Sequence, residues 1–139
     1  MTRIRDVMTK NVIKAGRKTT ITEICRTMVR HKIGSIIVSE AEEPVGIITE
    51  RDILEKIAVE SRNPDNVTAE DIMTKNLVTV KADVPIEEAV KLLAEKRLKR
   101  LPVVEGSKLI GIVTATDILR AVNTDMQSKL LDLYRREAW

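Results

Sequence analysis

The sequence has almost no aromatic residues and few of the side chains that build metal or nucleophilic centres. Its 139 residues include no Phe and a single His, Cys, Trp and Tyr. The lone Cys25 supplies neither an internal disulfide nor a cysteine-based zinc site, and His31 alone cannot serve a zinc enzyme or a Ser-His-Asp hydrolase. The aromatics Tyr134 and Trp139 both stand near the C-terminus, which disfavours modules that stack bases on rings. We therefore expect no enzymatic activity and no metal site.

Long hydrophobic runs and a one-sided charge are also missing. No apolar run approaches the roughly 18 to 20 residues of a membrane span, and residues 1–6 lack the apolar segment of a secretory signal. The formal net charge of +3 is spread evenly, because residues 1–65 carry 12 basic and 10 acidic groups and residues 66–139 carry 12 and 11. This balance disfavours a nucleic-acid-binding arm. We expect a cytoplasmic protein without a membrane partner.

What the sequence does contain is an internal repeat. The segment D-V-M-T-K-N at residues 6–11 recurs as D-I-M-T-K-N at residues 71–76, and the segment G-I-I-T-E-R-D-I-L that starts at Gly46 recurs from Gly111 as G-I-V-T-A-T-D-I-L. Both pairs are offset by 65 residues, and a unit of that size is marginal for burying its own core. We expect two repeats packed with pseudo-two-fold symmetry. The predicted boundaries are a first repeat at residues 3–62, a linker at 63–67, a second repeat at 68–122 and a C-terminal helix at 123–139.

Within each repeat the hydrophobic period alternates between that of a strand and that of a helix. Short strands are predicted at residues 12–13 and 77–80. In the first repeat a helix with an apolar stripe begins after Thr20, which is spaced with Glu23 as a capping box. Two adjacent apolar runs and a closing helix follow in each repeat. The predicted fold class is α/β (α+β), with two β-α-β-β-α repeats.

These motifs resemble a known family. The D-[VI]-M-T opening, the L-P-V-V strand at residues 101–104 and the G-h-[IV]-T-x-x-D-[IL] close of both repeats are similar to a tandem cystathionine-beta-synthase-type (CBS) domain pair, or Bateman module, of the stand-alone archaeal and bacterial type. The resemblance implies a regulatory ligand with an adenosyl group, bound in a cleft between the repeats. AMP, ADP, ATP and S-adenosylmethionine are the candidates, and no cofactor is required.

The Thr-x-x-Asp segments are the main candidate ligand residues: Thr49 and Asp52 in the first repeat, Thr114 and Asp117 in the second. One interpretation is a capping box at the start of each closing helix. The other is a nucleotide site, since unpaired helix N–H groups suit phosphate and a carboxylate can accept both ribose hydroxyls. The resemblance implies the second role, with Thr on phosphate and Asp on ribose, and the two roles are compatible.

Other candidates surround these segments. Arg51 and Thr116 occupy the same motif position but differ, so we expect the two sites to be non-equivalent. Lys99 and Arg100 stand where several nucleotide-sensing family members carry phosphate-binding residues, and a solvated helix end is the alternative. A purine slot without aromatics would be lined by aliphatic residues that could equally be core. These are Ile13, Ile36, Val78 and Leu101.

The resulting hypothesis is a regulatory module that senses an adenosine-containing nucleotide and passes the signal to a protein partner whose identity the sequence does not give. Two alternatives stay open: a ligand-free interaction or dimerisation scaffold, and nucleic-acid binding through residues 96–100 and Arg135-Arg136. An apolar stripe in the C-terminal segment predicts a homodimer. Its members are Met126, Leu130, Leu133 and Tyr134.

Overall fold

The computed structural model describes residues 1–121, 128 and 131–132. The chain divides into two compact units. We call residues 13–77 the inner unit, because they are the internal segment of the sequence. Residues 1–12 together with those from 78 onward are called the outer unit. Each unit carries its own sheet and its own hydrophobic core.

The helices and strands follow the predicted order within each repeat. In chain order they are α1 (Ile4–Val7), β1 (Lys14–Ala15), α2 (Ile21–His31), β2 (Ser35–Glu40), β3 (Glu43–Thr49), α3 (Glu50–Ile53), α4 (Ala69–Ile72), β4 (Val80–Lys81), α5 (Ile86–Lys96), β5 (Arg100–Glu105), β6 (Lys108–Thr114) and α6 (Ala115–Leu119). Helix α3 continues as a π-helical turn over Leu54–Ala58, and Pro64–Asn66 form a 3-10 turn. The β-α-β-β-α prediction is confirmed for both repeats.

The two sheets have the same topology. In the inner unit the strand order is β1-β2-β3, with β1 parallel and β3 antiparallel to β2. The outer unit repeats this arrangement with β4, β5 and β6. The register places Ser35 opposite Thr49 and Arg100 opposite Thr114, so each Thr of a Thr-x-x-Asp segment ends its strand beside the first residue of the central strand.

Aliphatic side chains fill both cores. The inner core includes Ile21, Ile24, Met28, Ile36, Val38, Ile48, Ile57, Val67, Ala69, Ile72 and Met73. The outer core includes Ile4, Val80, Ile86, Ala89, Val90, Leu93, Leu101, Val103, Val113, Ala115 and Ile118. Because burying one such side chain contributes about 1.5 to 3 kcal/mol, aliphatic residues alone can supply the driving force in a chain without Phe.

Helix α2 shows where the capping prediction holds and where it is wrong. The Thr20 hydroxyl accepts a hydrogen bond from the Glu23 N–H at 3.2 Å, as predicted. The reciprocal half is missing, because the Glu23 carboxylate is paired with Arg26 at 2.9 Å. The helix ends at Lys32, whose φ of 54° is left-handed. Val29, which its i+8 spacing from Ile21 predicts on the apolar stripe, is 78% exposed.

Several predicted boundaries are shifted by neighbouring hydrogen bonds. The strand predicted at residues 12–13 begins at Lys14, because the Val12 N–H already bonds the Lys10 carbonyl in a turn. The strand predicted at 77–80 is confined to Val80–Lys81, where pairing with β5 begins. The closing helix of the first repeat, which the sequence predicts from about Asp52, starts at Glu50, because Thr49 takes the N-cap position.

The boundaries of the two compact units do not coincide with the boundaries of the two sequence repeats. The opening motif of the first repeat lies in the outer unit, where Thr9 bridges Ile112 of β6. The opening motif of the second repeat lies in the inner unit, where Thr74 bridges Ile47 of β3. Each unit therefore combines one repeat's sheet with the other repeat's opening segment. The boundaries 3–62, 63–67 and 68–122 remain a prediction about the sequence periods.

The predicted C-terminal stripe, from Met126 to Tyr134, lies outside the described residues, as does Trp139. Among the residues that the structure does describe, none belongs to a helix long and apolar enough for a membrane span.

Candidate functional site

Two glycines of the repeated G-h-[IV]-T segment allow the opening motifs to pack against the sheets. A Cβ added to Gly46 would lie 2.5 Å from the Met73 Sδ, and a Cβ on Gly111 would lie 2.7 Å from the Met8 Sδ. The strands are also irregular beside these glycines, with register shifts at Val38/Ser39 and Val103/Val104. Close packing thus explains why each D-[VI]-M-T motif accompanies a glycine-bearing strand.

In the inner unit, Thr49 and Asp52 form a complete capping box. The Asp52 Oδ2 accepts hydrogen bonds from the Thr49 N–H at 2.9 Å and from its hydroxyl at 3.1 Å. In return the Thr49 Oγ1 accepts from the Asp52 N–H at 3.2 Å. The Asp52 side chain is only 12% exposed. The capping interpretation of this segment is confirmed.

The outer unit repeats the geometry with Thr114 and Asp117. The Thr114 N–H donates to the Asp117 Oδ2 at 3.0 Å, and the Asp117 N–H donates to the Thr114 Oγ1 at 3.2 Å. Asp117 is half-buried, so its carboxylate is more accessible than that of Asp52. The capping role and a ligand role remain compatible here, since a carboxylate has about four acceptor positions.

Basic residues stand beside the outer motif. Arg100 lies directly opposite Thr114 in the β5–β6 ladder, and the Lys99 carbonyl accepts from the Ala115 N–H at 2.9 Å. Both side chains are half-buried. The sheet therefore brings Thr114, Asp117, Lys99 and Arg100 to one edge of the outer unit, as the sequence analysis expected.

The corresponding edge of the inner unit has different chemistry. Gly34 and Ser35 replace the basic pair, and the Glu50 Oε1 lies 3.0 Å from the position of a Cβ on Gly34. Arg51 is exposed and pairs with Glu55 across one helical turn at 2.6 Å. Its counterpart Thr116 is also exposed. The expected non-equivalence of the two motifs is thus evident in their neighbours.

A lysine completes the inner motif in a way that the sequence analysis missed. The Lys56 Nζ lies 3.1 Å from the Asp52 Oδ1 and donates to the Ile72 carbonyl at 2.7 Å. The i,i+4 spacing of Asp52 and Lys56 is a sequence signal for the ion pair. The bond to Ile72 could not be read from spacing, because it depends on how α4 packs.

The predicted purine slot needs a correction. Ile36 and Leu101 are 2% and 0% exposed and belong to the inner and outer cores, so their side chains are covered by neighbouring aliphatics. Ile13 and Val78 remain half-buried and keep accessible surface. Only the latter two can meet a base without repacking of a core.

The inner unit also has a groove of about 490 Å³ that the sequence analysis missed. It lies between the C-terminal half of α2 and helix α3. Its lining residues are Cys25, Met28, Val29, Lys32, Ile33, Gly34, Glu50, Ile53 and Leu54. Partial burial raises the pKa of the Cys25 thiol above its ordinary value of 9.0, which disfavours the reactive thiolate.

A third capping box shows that the Thr-x-x-Asp geometry alone does not make a ligand site. Thr68 and Asp71 form the same reciprocal bonds at the start of α4, with the Asp71 Oδ2 accepting from the Thr68 N–H at 2.9 Å. These hydrogen bonds lower the pKa of the Asp71 carboxyl below 3.8. Among the described residues, no cluster of three His, Cys, Asp or Glu side chains could hold a metal ion.

Comparison with protein families decides what this duplicated unit is. The model of the CBS domain matches twice, at residues 4–59 and 69–124, and so covers most of the chain. The chain belongs to the CBS domain family. CBS domains commonly bind adenosyl ligands, and CBS proteins often oligomerise and act in regulation or signal transduction.

Individual CBS relatives agree with this assignment. An uncharacterized protein of Methanopyrus kandleri is 46% identical over 84% of this chain, which spans 61% of that protein's length. Hypoxic response protein 1 of Mycobacterium tuberculosis is 32% identical over 86% of this chain and 85% of its own length. The crystal structure of a conserved CBS domain protein of unknown function from Thermoplasma acidophilum superposes with a TM-score of 0.83 at 26% identity, over 96% of this chain and 76% of that one.

Proposed function

We propose that this CBS pair is a non-enzymatic regulatory module that binds an adenine nucleotide (AMP, ADP or ATP) at the Thr114-x-x-Asp117 motif of the outer unit. The observation that carries the proposal is the meeting of two basic residues with this motif. Arg100 stands opposite Thr114 in the sheet, and the Lys99 carbonyl is bonded to the first residue of α6.

The chemistry of these residues fits a phosphorylated nucleoside. Asp117 keeps acceptor positions besides the one that caps α6, and a carboxylate accepts ribose hydroxyls as charge-assisted hydrogen bonds. Guanidinium and ammonium groups suit phosphate oxygens, and the Thr114 hydroxyl can donate to one. S-adenosylmethionine lacks a phosphate and offers a guanidinium or ammonium group only its single methionine carboxylate, so nucleotides are favoured over it.

Regulation would follow from a shift between conformations. A ligand that binds one arrangement of the module more tightly than another raises the population of that arrangement, to an extent set by the difference between the two binding free energies. A protein partner or a second subunit would then bind the favoured arrangement. The name of the hypoxic response protein relative is in keeping with a role in responding to conditions.

Isothermal titration calorimetry with AMP, ADP, ATP, S-adenosylmethionine and GTP tests the proposal. Adenine nucleotides should bind more tightly than GTP, and a ligand at a hundredfold Kd should stabilise the protein by about 2.7 kcal/mol in thermal unfolding. Asp117→Asn should weaken binding by about tenfold or more, since it removes a charged acceptor.

The matched control is Asp71→Asn, which alters an identical capping box at α4. It should leave nucleotide affinity unchanged. If no adenosine compound binds, the proposal is wrong, and the scaffold alternative is favoured by the capping bonds, which by themselves account for Thr49, Asp52, Thr114 and Asp117.

A further inference from the structure

The two Thr-x-x-Asp motifs share their capping geometry but differ in what holds the aspartate. In the inner unit both carboxylate oxygens of Asp52 are engaged. Its Oδ2 accepts from the Thr49 N–H and hydroxyl, and its Oδ1 lies 3.1 Å from the Lys56 ammonium. A ribose that approached this carboxylate would have to displace the lysine.

Lys56 is itself held in place by a second bond. Its Nζ donates to the Ile72 carbonyl at 2.7 Å, at the C-terminal end of α4. The next residue, Met73, packs against Gly46, and Thr74 pairs with Ile47 of β3. Displacing Lys56 would leave the half-buried Ile72 carbonyl without its charged donor. The pair of Lys56 and Asp52 therefore links α3 to the C-terminal end of α4.

An acidic side chain adds a second obstacle in the inner unit. Glu50 is the first residue of α3, and its Oε1 lies over Gly34, 3.0 Å from the position of a Cβ there. Gly34 and Ser35 are the residues that correspond to Lys99 and Arg100 of the outer unit. At these two positions the inner unit therefore has no basic residue, and the Glu50 carboxylate that lies there instead repels phosphate.

At the two positions that the 65-residue offset aligns with Lys56 and Glu50, the outer unit has small uncharged residues. Ala121 stands at the position of Lys56, and Ala115 at the position of Glu50. An alanine can neither bridge Asp117 to the opening segment nor repel an anion. The sequence itself therefore contains the substitutions that separate the two motifs.

We propose that Lys56 and Glu50 close the inner motif to nucleotides. Thr49 and Asp52 then have a structural role, as the cap of α3 and, through Lys56, as its link to α4, and the chain binds one nucleotide, at Thr114 and Asp117. This inference rests on the proposed function, because it says which of the two motifs serves it.

Calorimetric stoichiometry with ATP, combined with one-site variants, tests the assignment. Wild type should bind one ATP per chain. Asp117→Asn should weaken that binding by about tenfold or more, while Asp52→Asn should leave affinity unchanged and lower the melting temperature. Two equivalent ATP molecules per chain, or loss of binding only in Asp52→Asn, would overturn the inference and leave the proposed function standing.

Exchanging residues between the repeats tests the roles of Lys56 and Glu50 directly. Ala121→Lys places an ammonium four residues after Asp117, the spacing of Lys56 from Asp52, at an exposed position, and should weaken ATP binding by about tenfold. Ala121→Gln is the control of similar length without charge, and it should bind ATP like wild type. Equal affinities of the two variants would contradict the closing role of the lysine.

The reverse exchange is Glu50→Ala with Lys56→Ala, which gives the inner motif the alanines that the outer unit has at these two positions. It should add a second, weaker ATP site, which Asp52→Asn in the same background removes. A stoichiometry that stays at one ATP would show that another feature closes the motif. Failure of wild type and of every variant to bind ATP is a distinct result, since it refutes the proposed function and this inference together.

Discussion

Substitution of Gly46 by alanine should destabilise the inner unit through a single, identifiable contact. The added Cβ would lie 2.5, 2.7 and 2.9 Å from the Sδ, Cγ and Cβ of Met73. All three distances are shorter than real Cβ contacts, and the Met73 Cβ is fixed by the backbone, so the side chain cannot simply swing away. Overpacking of this kind costs about 1 to 3 kcal/mol, with the upper half of that range expected here.

A double-mutant cycle with Met73→Ala isolates that contact. Met73→Ala alone should cost about 2 to 5 kcal/mol, because Met73 is 6% exposed and belongs to the inner core. The Met73→Ala background removes the contacts with Sδ and Cγ at 2.5 and 2.7 Å, but the contact with the Cβ of residue 73 at 2.9 Å remains. There Gly46→Ala should therefore cost less than in the wild-type background without becoming neutral.

Urea unfolding of the wild type, both single variants and the double variant gives the coupling free energy, which should be about 1 to 3 kcal/mol. A second double-mutant cycle, with Gly111→Ala and Met8→Ala, provides a comparison with the first. After Met8→Ala a Cβ on Gly111 would still lie 3.1 Å from the Thr9 carbonyl oxygen, which is longer than the 2.9 Å contact that remains at Gly46, so its rescue should be at least as complete. Additive costs for Gly46→Ala and Met73→Ala would refute the close-packing explanation of the repeated glycine.

Three further predictions follow from individual groups. Because hydrogen bonds from Thr68 lower the pKa of Asp71 below 3.8, its carboxylate stabilises the fold above the unfolded pKa, and this contribution is lost as the pH falls through the folded pKa. The difference in unfolding free energy between wild type and Asp71→Asn should therefore be constant near neutral pH and shrink below about pH 4 in acid titrations; a difference that grows in acid would contradict this. Burial raises the pKa of Cys25, so iodoacetamide should alkylate it more slowly in the folded protein than in urea, and equal rates would show that the thiol is open to solvent. From the sequence alone, truncation after Asn123 should convert a homodimer to a monomer in light scattering, whereas a full-length monomer or an unchanged dimer would exclude the C-terminal segment as the dimer contact.

Local signals were sufficient for most of the architecture. The period of the apolar residues identified α2 and the two long strands of each repeat, because these features depend on neighbours in sequence. The short helices α1 and α4 were missed, since four residues leave no period to detect. Their capping aspartates, Asp6 and Asp71, were visible in the sequence as part of the opening motif but were not interpreted as caps.

Long-range packing accounts for the rest. The exchange of opening segments between the sheets could not be predicted. The two opening motifs are nearly identical, so either one is compatible with packing on its own repeat's sheet or on the other repeat's sheet. The burial of Ile36 and Leu101 stayed an open alternative, since an aliphatic residue in a strand can face either a core or a cleft.

The contrast between Lys56 and Ala121 shows what an internal repeat can still reveal once a structure is known. Taken alone, the ion pair of Lys56 with Asp52 is an ordinary i,i+4 contact between partly exposed groups. It becomes informative because the second repeat keeps the threonine and the aspartate but replaces the lysine by alanine. Capping requires only the residues that both repeats share, so the residues that differ are the ones to test for binding. Among the residues that differ are Lys56, Glu50, Lys99 and Arg100, and the exchange of Ala121 is the sharpest single experiment on this chain.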